Sequence, residues 1–219
     1  MTITLSCGDD LSVITETMRN GGTVVFPTDT VYGLGCNPRS PRAIRRCFQI
    51  KERPSEKLLP VLFADKSHLE EFVTIGPVAE TLASHFWPGK LTMILGIKEG
   101  AKLPFELTGG GKGLAVRIPN NACALKVIRA CDGCLVGTSA NISGRAPSSD
   151  PDNPELLSFA TRCDFFVREN SRHPQSSLAS TVIDLSQDER TPILVREGAI
   201  PFGEVTPYLT FSKLDISTS

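Results

Sequence analysis

The sequence predicts an α/β domain with layered strands and helices. Short apolar runs of strand length recur along the chain, helical patterns separate many of them, and no long polar linker divides the series. The alternation is not regular enough to demand an all-parallel sheet, and no internal repeat is visible.

In chain order, Leu11, Ile14 and Met18 share one helical face; Gly21-Gly22 end that helix before the apolar strand Val24-Val25-Phe26. Ser40 as N-cap and Pro41 at the first position open a helix over 42–52. Pro54 pushes Arg53 toward an extended conformation and stops that helix. Strands are expected at 60–63, 92–97, 114–118, 135–137, 165–167, 180–185 and 193–196, with helices at 66–72, 78–86, 122–130 and 154–160. The stretch 145–153, rich in Pro, Ser and Asp, is either a plain surface connection or a flap over a ligand.

A chain of 219 residues fits one domain and buries about 70% of its unfolded surface. With 40% hydrophobic and 21% charged residues it has a globular composition, and a formal charge of -1 gives no global attraction to nucleic acid or membrane, so any RNA contact is local. Residues 1–10 lack the apolar run of a secretory signal, and no stretch reaches the roughly 18 apolar residues of a membrane helix. A cytoplasmic location is the default expectation. Seven scattered cysteines, an odd number, argue for reduced thiols rather than a disulfide framework. Cys131-Asp132-Gly133-Cys134 is a lone CxxC, and His68, His85 and His173 lack mutual spacing, so no metal site is expected. The run 108–113 fails as a P-loop, because Glu106 stands at its first glycine and Gly113 at its final Ser or Thr; it is read as a flexible glycine loop near the substrates.

The segment Thr138-Ser139-Ala140-Asn141-Ile142-Ser143-Gly144 follows the apolar Leu135-Val136, so Ser139 and Asn141 emerge at a strand end with side chains and amides free to face a ligand. Lys51 and Arg53, at a helix end, can converge with them on a polyphosphate; taken alone, they are an ordinary solvated helix end. Arg117, after an apolar run, is a strand-end surface charge or a buried carboxylate clamp.

Several ordered motifs surround these residues: Pro27-Thr28-Asp29-Thr30-Val31-Tyr32-Gly33-Leu34-Gly35, Lys51-Glu52-Arg53-Pro54, Trp87-Pro88-Gly89-Lys90-Leu91-Thr92, Leu114-Ala115-Val116-Arg117-Ile118-Pro119, Ser139-Ala140-Asn141 and Ser180-Thr181-Val182-Ile183-Asp184. On this set the chain resembles the YrdC/Sua5 (TsaC-type) threonylcarbamoyl-AMP synthases, from about residue 11 to 198. The resemblance implies a twisted mixed β-sheet flanked by helices in a single catalytic domain over 1–200, with 201–219 as a C-terminal tail, as in the short members of the family. It also implies that L-threonine, bicarbonate or carbon dioxide, and ATP are joined into threonylcarbamoyl-AMP with release of pyrophosphate, for threonylcarbamoyladenosine (t6A) modification of transfer RNA.

The implied roles are Lys51, Arg53, Ser139 and Asn141 in catalysis; Thr30, Arg117 and Ser180 on L-threonine; and Lys51, Arg53, Lys57, Ser139, Asn141 and Arg196 on ATP, with Mg2+ accompanying the nucleotide. Implied partners are the small substrates, a weak RNA or tRNA contact and the downstream t6A transferase machinery, with no membrane. The chain departs from the family pattern in having Leu62 where a histidine is common and Gly113 where threonine is common. The alternative is an RNA-binding module without catalysis, using Arg42, Arg45, Arg46, Lys51 and Arg53. Carbamoyl-phosphate-dependent adenylation, a third option, lacks the extra domains that chemistry uses.

Overall fold

The computed structural model describes residues 1–52, 59–169 and 178–209. Arg53, Lys57 and His173 lie outside the described residues. The chain runs through β1 (Ile3–Ser6), α1 (Val13–Arg19), β2 (Thr23–Phe26), β3 (Gly33–Cys36), α2 (Pro41–Lys51), β4 (Val61–Phe63) and α3 (Lys66–Leu69). It continues through α4 (Pro77–Phe86), β5 (Leu91–Gly96), α5 (Phe105–Thr108), β6 (Gly113–Arg117), α6 (Ala122–Ala130), β7 (Cys134–Val136) and β8 (Thr138–Ser139). Then follow α7 (Pro154–Ala160), β9 (Phe165–Arg168), β10 (Thr181–Asp184), β11 (Ile193–Arg196), α8 (Phe202–Val205) and a 3₁₀ turn, Thr206–Tyr208.

The mixed α/β class holds, with the strands divided between two mixed sheets. One has the order β1-β9-β2-β3-β8 and the other β11-β10-β5-β6-β4-β7. In the first, β9 is parallel to β1 and β2, while β3 runs antiparallel to β2 and β8. In the second, the β10–β5 and β4–β6 pairs are parallel and the rest antiparallel. Strand residues alternate between two cores, as period-2 geometry requires. Val24, Phe26, Leu62 and Leu135 pack with Ile14 and Met18 of α1 and Val127 and Ile128 of α6. Val25, Val61, Phe63 and Val136 join the larger cluster, with Ile44 of α2, Leu82 of α4 and Phe159 of α7.

Side-chain caps mark four of the eight α-helix starts among the described residues. Ser40, Asp65, Asn121 and Asn153 each accept, through the side chain, the amide three residues on. Helix α2 stops at Glu52, which takes a left-handed φ of 52°. Three strands were not anticipated. β1 alternates apolar and polar residues over only four positions, Ile3 to Ser6, none of them buried; β8 has only two residues; and β3 reads Gly-Leu-Gly-Cys, a poor strand by propensity. Gly35 is needed there, because a Cβ would lie 2.6 Å from the Leu135 side chain of the other sheet.

Of the segment expected as a C-terminal tail, residues 202–209 pack on the domain, with Val205 buried and Tyr208 against His85 and Phe86 at ring-centroid distances of 4.1 and 5.5 Å, while 210–219 lie outside the described residues. The cysteine expectation is corrected at one pair. Cys7, just after β1, and Cys123 of α6 form a disulfide across a separation of 116 residues, a proximity that composition does not reveal. Cys36, Cys47, Cys131, Cys134 and Cys163 are free and buried. No helix among the described residues is long and apolar enough to cross a membrane.

Candidate active site

A cavity of about 640 Å³ opens where the two sheets meet. Its floor is one face of the second sheet, to which every second residue contributes: Pro60 and Leu62, Thr92 and Ile94, Ala115 and Arg117, Ser180 and Val182. The remaining wall comes from the β2–β3 connection, through Thr28, Thr30 and Tyr32, and from Gly137 to Ser139. Gly137 is where the chain leaves β7 of one sheet for β8 of the other; a Cβ there would meet Leu62 at 2.4 Å, so glycine keeps the seam closed.

Of the residues expected on substrate, Thr30, Arg117, Ser139, Ser180 and Arg196 line this one cavity. Arg117, the end of β6, is buried, which rejects the surface-charge alternative. Its guanidinium is held from three sides: Nε donates to Gly89 O at 2.7 Å, Nη1 to Thr30 Oγ1 at 3.2 Å and Nη2 to Asp29 Oδ1. Burial pushes the Arg117 pKa down, opposed by the Asp29 carboxylate.

Arg196 is differently placed. It is an exposed residue at the cavity rim, with Nε and Nη2 donating to Ser180 O at 3.1 and 2.7 Å. No carboxylate among the described residues pairs with it. The Ser180 hydroxyl bonds Thr92 Oγ1 at 2.8 Å and receives Arg196 Nη2 at 3.3 Å. Among the described residues, two guanidiniums against one carboxylate leave a net positive charge beside cavity-lining hydroxyl residues that include Thr28, Thr30, Thr92, Ser139 and Ser180. Such a lining suits an anion with further hydrogen-bonding groups.

Lys51 plays a part that its sequence context did not suggest. Only 1% exposed, it sends Nζ to the backbone carbonyls of Ser139 and Asn141, at 2.5 and 2.9 Å, and lines neither cavity of this region. It therefore shapes the turn that presents Ser139 and Asn141. That turn is a partition: Ser139 faces the large cavity, whereas Ala140 and Asn141 line a smaller one of about 310 Å³ with Arg145, Ser148 and Arg162. Asn141 Nδ2 donates to Ile142 O and Arg145 O, and its Oδ1 is buried without a partner among the described residues. The 145–153 connection walls this second space and is pinned to the first, since the Tyr32 amide donates to Ser148 O at 2.8 Å.

Asp29, Thr28, Tyr32 and Thr92 were not singled out from sequence. The signal for Thr92 was present, as it lies at an alternating position of an expected strand; the loop residues 28 to 32 gave none beyond their motif. Leu62 lines the cavity opposite Arg117 in the β4–β6 register, so the departure from histidine falls at the site. None of residues 108–113, expected as a glycine loop near the substrates, lines this cavity. On the cationic face of α2, Arg45 pairs with Glu106 and Arg46 with Asp164.

A family model described as Sua5_yciO_yrdC, Telomere recombination, matches residues 16–198. The chain is 37% identical over 189 residues to the threonylcarbamoyl-AMP synthase of Pyrococcus abyssi, covering 86% of this chain and 54% of that protein. It is 36% identical over 184 residues to the threonylcarbamoyl-AMP synthase of Bacillus subtilis, covering 84% and 51%. The solved structure of P. abyssi Sua5 complexed with L-threonine superposes with a TM-score of 0.83 at 32% identity, covering 95% of this chain and 60% of that one. The chain spans about half the length of the curated relatives it matches. Matched over most of its residues in both sequence and backbone, it belongs to the Sua5/YciO/YrdC family.

Proposed function

We propose that this chain forms threonylcarbamoyl-AMP from L-threonine, bicarbonate or carbon dioxide, and ATP. The observation that carries the reading is Arg196, a guanidinium without a carboxylate partner among the described residues, on a cavity shared with Arg117, Thr30, Ser139 and Ser180. The neutral amine of threonine adds to carbon dioxide, forming the N–C bond of a carbamate and releasing one amine proton to solvent. A carbamate oxygen then attacks the α-phosphorus of ATP; the new O–P bond forms as the bond to the bridging oxygen breaks, and pyrophosphate leaves with its electron pair. Such a reaction needs positioning and charge stabilisation more than covalent help from the protein.

In this reading Thr30, Arg117, Ser180 and Arg196 surround the amino acid and the phosphate next to it, and the Ser139–Asn141 turn, held by Lys51, meets the nucleotide. Arg53 and Lys57 are proposed for the triphosphate from the sequence motif alone. Magnesium would arrive on the phosphate oxygens, as is usual for a cation that keeps its waters; among the described residues no group of three or more His, Cys, Asp or Glu is placed to cage it. The product would pass to the t6A transferase machinery. The paired arginines of α2 weaken the RNA-binding alternative.

Purified protein supplied with ATP, magnesium, threonine and bicarbonate is expected to release pyrophosphate only when all four are present, and Arg196→Met to lower kcat/KM by about tenfold to a thousandfold. Pyrophosphate release that ignores threonine, or none at all, would end this reading.

A further inference from the structure

Asp29 does not line the large cavity, yet it touches the group that does. Its side chain is 8% exposed and that of Arg117 6%, and the two form an ion pair buried on both sides. Oδ1 takes the Arg117 Nη2 donor, while Oδ2 is buried with no hydrogen-bond partner among the described residues. Folding alone does not account for this arrangement, since a buried ion pair is a weak stabiliser relative to apolar side chains and an unpaired buried oxygen is a cost.

What the pair does achieve is orientation. A guanidinium offers its N–H groups in a rigid planar fork, so acceptors on Nε, Nη1 and Nη2 fix its rotation. Here these are Gly89 O, Thr30 Oγ1 and Asp29 Oδ1. The order extends one step further: Thr30 Oγ1 is 3.0 Å from Thr28 Oγ1, which donates to Val31 O at 2.7 Å. Thr28, Thr30 and Arg117 all line the cavity, so the Asp29 contact governs a surface that Asp29 itself does not reach.

Resting on the reaction proposed above, we infer that Asp29 is a positioning residue for its amino-acid half. The carboxylate fixes the orientation of Arg117 and offsets its charge, Arg117 in turn orders the Thr30 hydroxyl, and Arg196 remains the uncompensated cation for the anionic end of the substrate.

The test compares wild type, Asp29→Asn, Arg117→Lys and the double variant, measuring threonine affinity by calorimetry and KM for threonine and ATP separately. Asp29→Asn keeps the shape and one acceptor but removes the charge. It is expected to raise the threonine Kd and KM about tenfold with the ATP KM unchanged, and the double variant to be no worse than Arg117→Lys, because Asp29 acts through Arg117. Unchanged threonine KM, equal rises in both KM values, or losses that add in the double variant would overturn the inference. Should Asp29→Asn melt below the assay temperature, Asp29→Glu, which keeps the charge at a longer reach, gives the same comparison: a threonine-only rise supports the inference and no rise overturns it. Wild-type protein that binds no threonine would remove the reaction and this inference together, whereas wild-type binding with an indifferent Asp29→Asn removes the inference alone.

Discussion

Lys51 Nζ donates to the backbone carbonyl of Asn141 at 2.9 Å, across 90 residues of chain. With the companion bond to Ser139 O it makes a single buried ammonium the clasp of the Ser139–Asn141 turn. A lysine reaching into solvent toward a phosphate would be dispensable for folding, whereas this one is buried against two carbonyls. Lys51→Met is expected to lower unfolding free energy by roughly 3 kcal/mol, read from the urea midpoint, because two buried carbonyls lose a charged donor. An unchanged midpoint would show that the clasp contributes nothing to stability.

Arg196 should behave in the opposite way. It is exposed at the rim, and among the described residues its side chain bonds Ser180. Arg196→Met is expected to leave stability within about 0.5 kcal/mol while weakening substrate use, so function and folding separate at this residue. Thermal melting alongside pyrophosphate release checks it; a large loss of stability would assign Arg196 a structural role instead.

Gly137 and Leu62 are coupled by space. Since a Cβ on residue 137 would fall 2.4 Å from Leu62 Cγ and Cδ1, Gly137→Ala is expected to cost about 1–3 kcal/mol. Adding Leu62→Ala should restore part of that loss, leaving the double variant more stable than the two single effects summed. Strict additivity in a denaturation cycle would place the strain elsewhere.

The cysteines offer a chemical count. Burial pushes the thiols of Cys131 and Cys163 up to about 12 and that of Cys134 to about 11, so little thiolate is present at pH 8. A thiol reagent is expected to find almost none in the native protein, five after unfolding without reductant and seven after reduction. Seven without reductant would remove the Cys7–Cys123 bond.

Sequence revealed this fold where local physics was strong. Ser40-Pro41 wrote the start of α2, and Val24-Val25-Phe26 wrote β2. It failed where tertiary contact decides: β3 exists because glycines let the sheets approach Leu135, and Cys7 meets Cys123 only once β1 and α6 are in place. The site followed the same division. Ser139, Arg117, Thr30 and Ser180 lie in the sequence motifs, Arg196 was implied by the family resemblance alone, and strand alternation carried Thr92 and Leu62 to the same face. The hold of Asp29 on Arg117 and the turn of Lys51 toward backbone carbonyls depend on three-dimensional approach, which no spacing encodes.

The most direct measurement is a crystal structure of the chain with L-threonine and a non-hydrolysable ATP analogue. The expected result is a threonine carboxylate or α-phosphate within hydrogen-bond distance of Arg196, both ligands meeting in the cavity that Thr30, Arg117 and Ser180 share. Threonine bound outside that cavity, with Arg117 and Arg196 touching neither ligand, would contradict a shared amino-acid and nucleotide site.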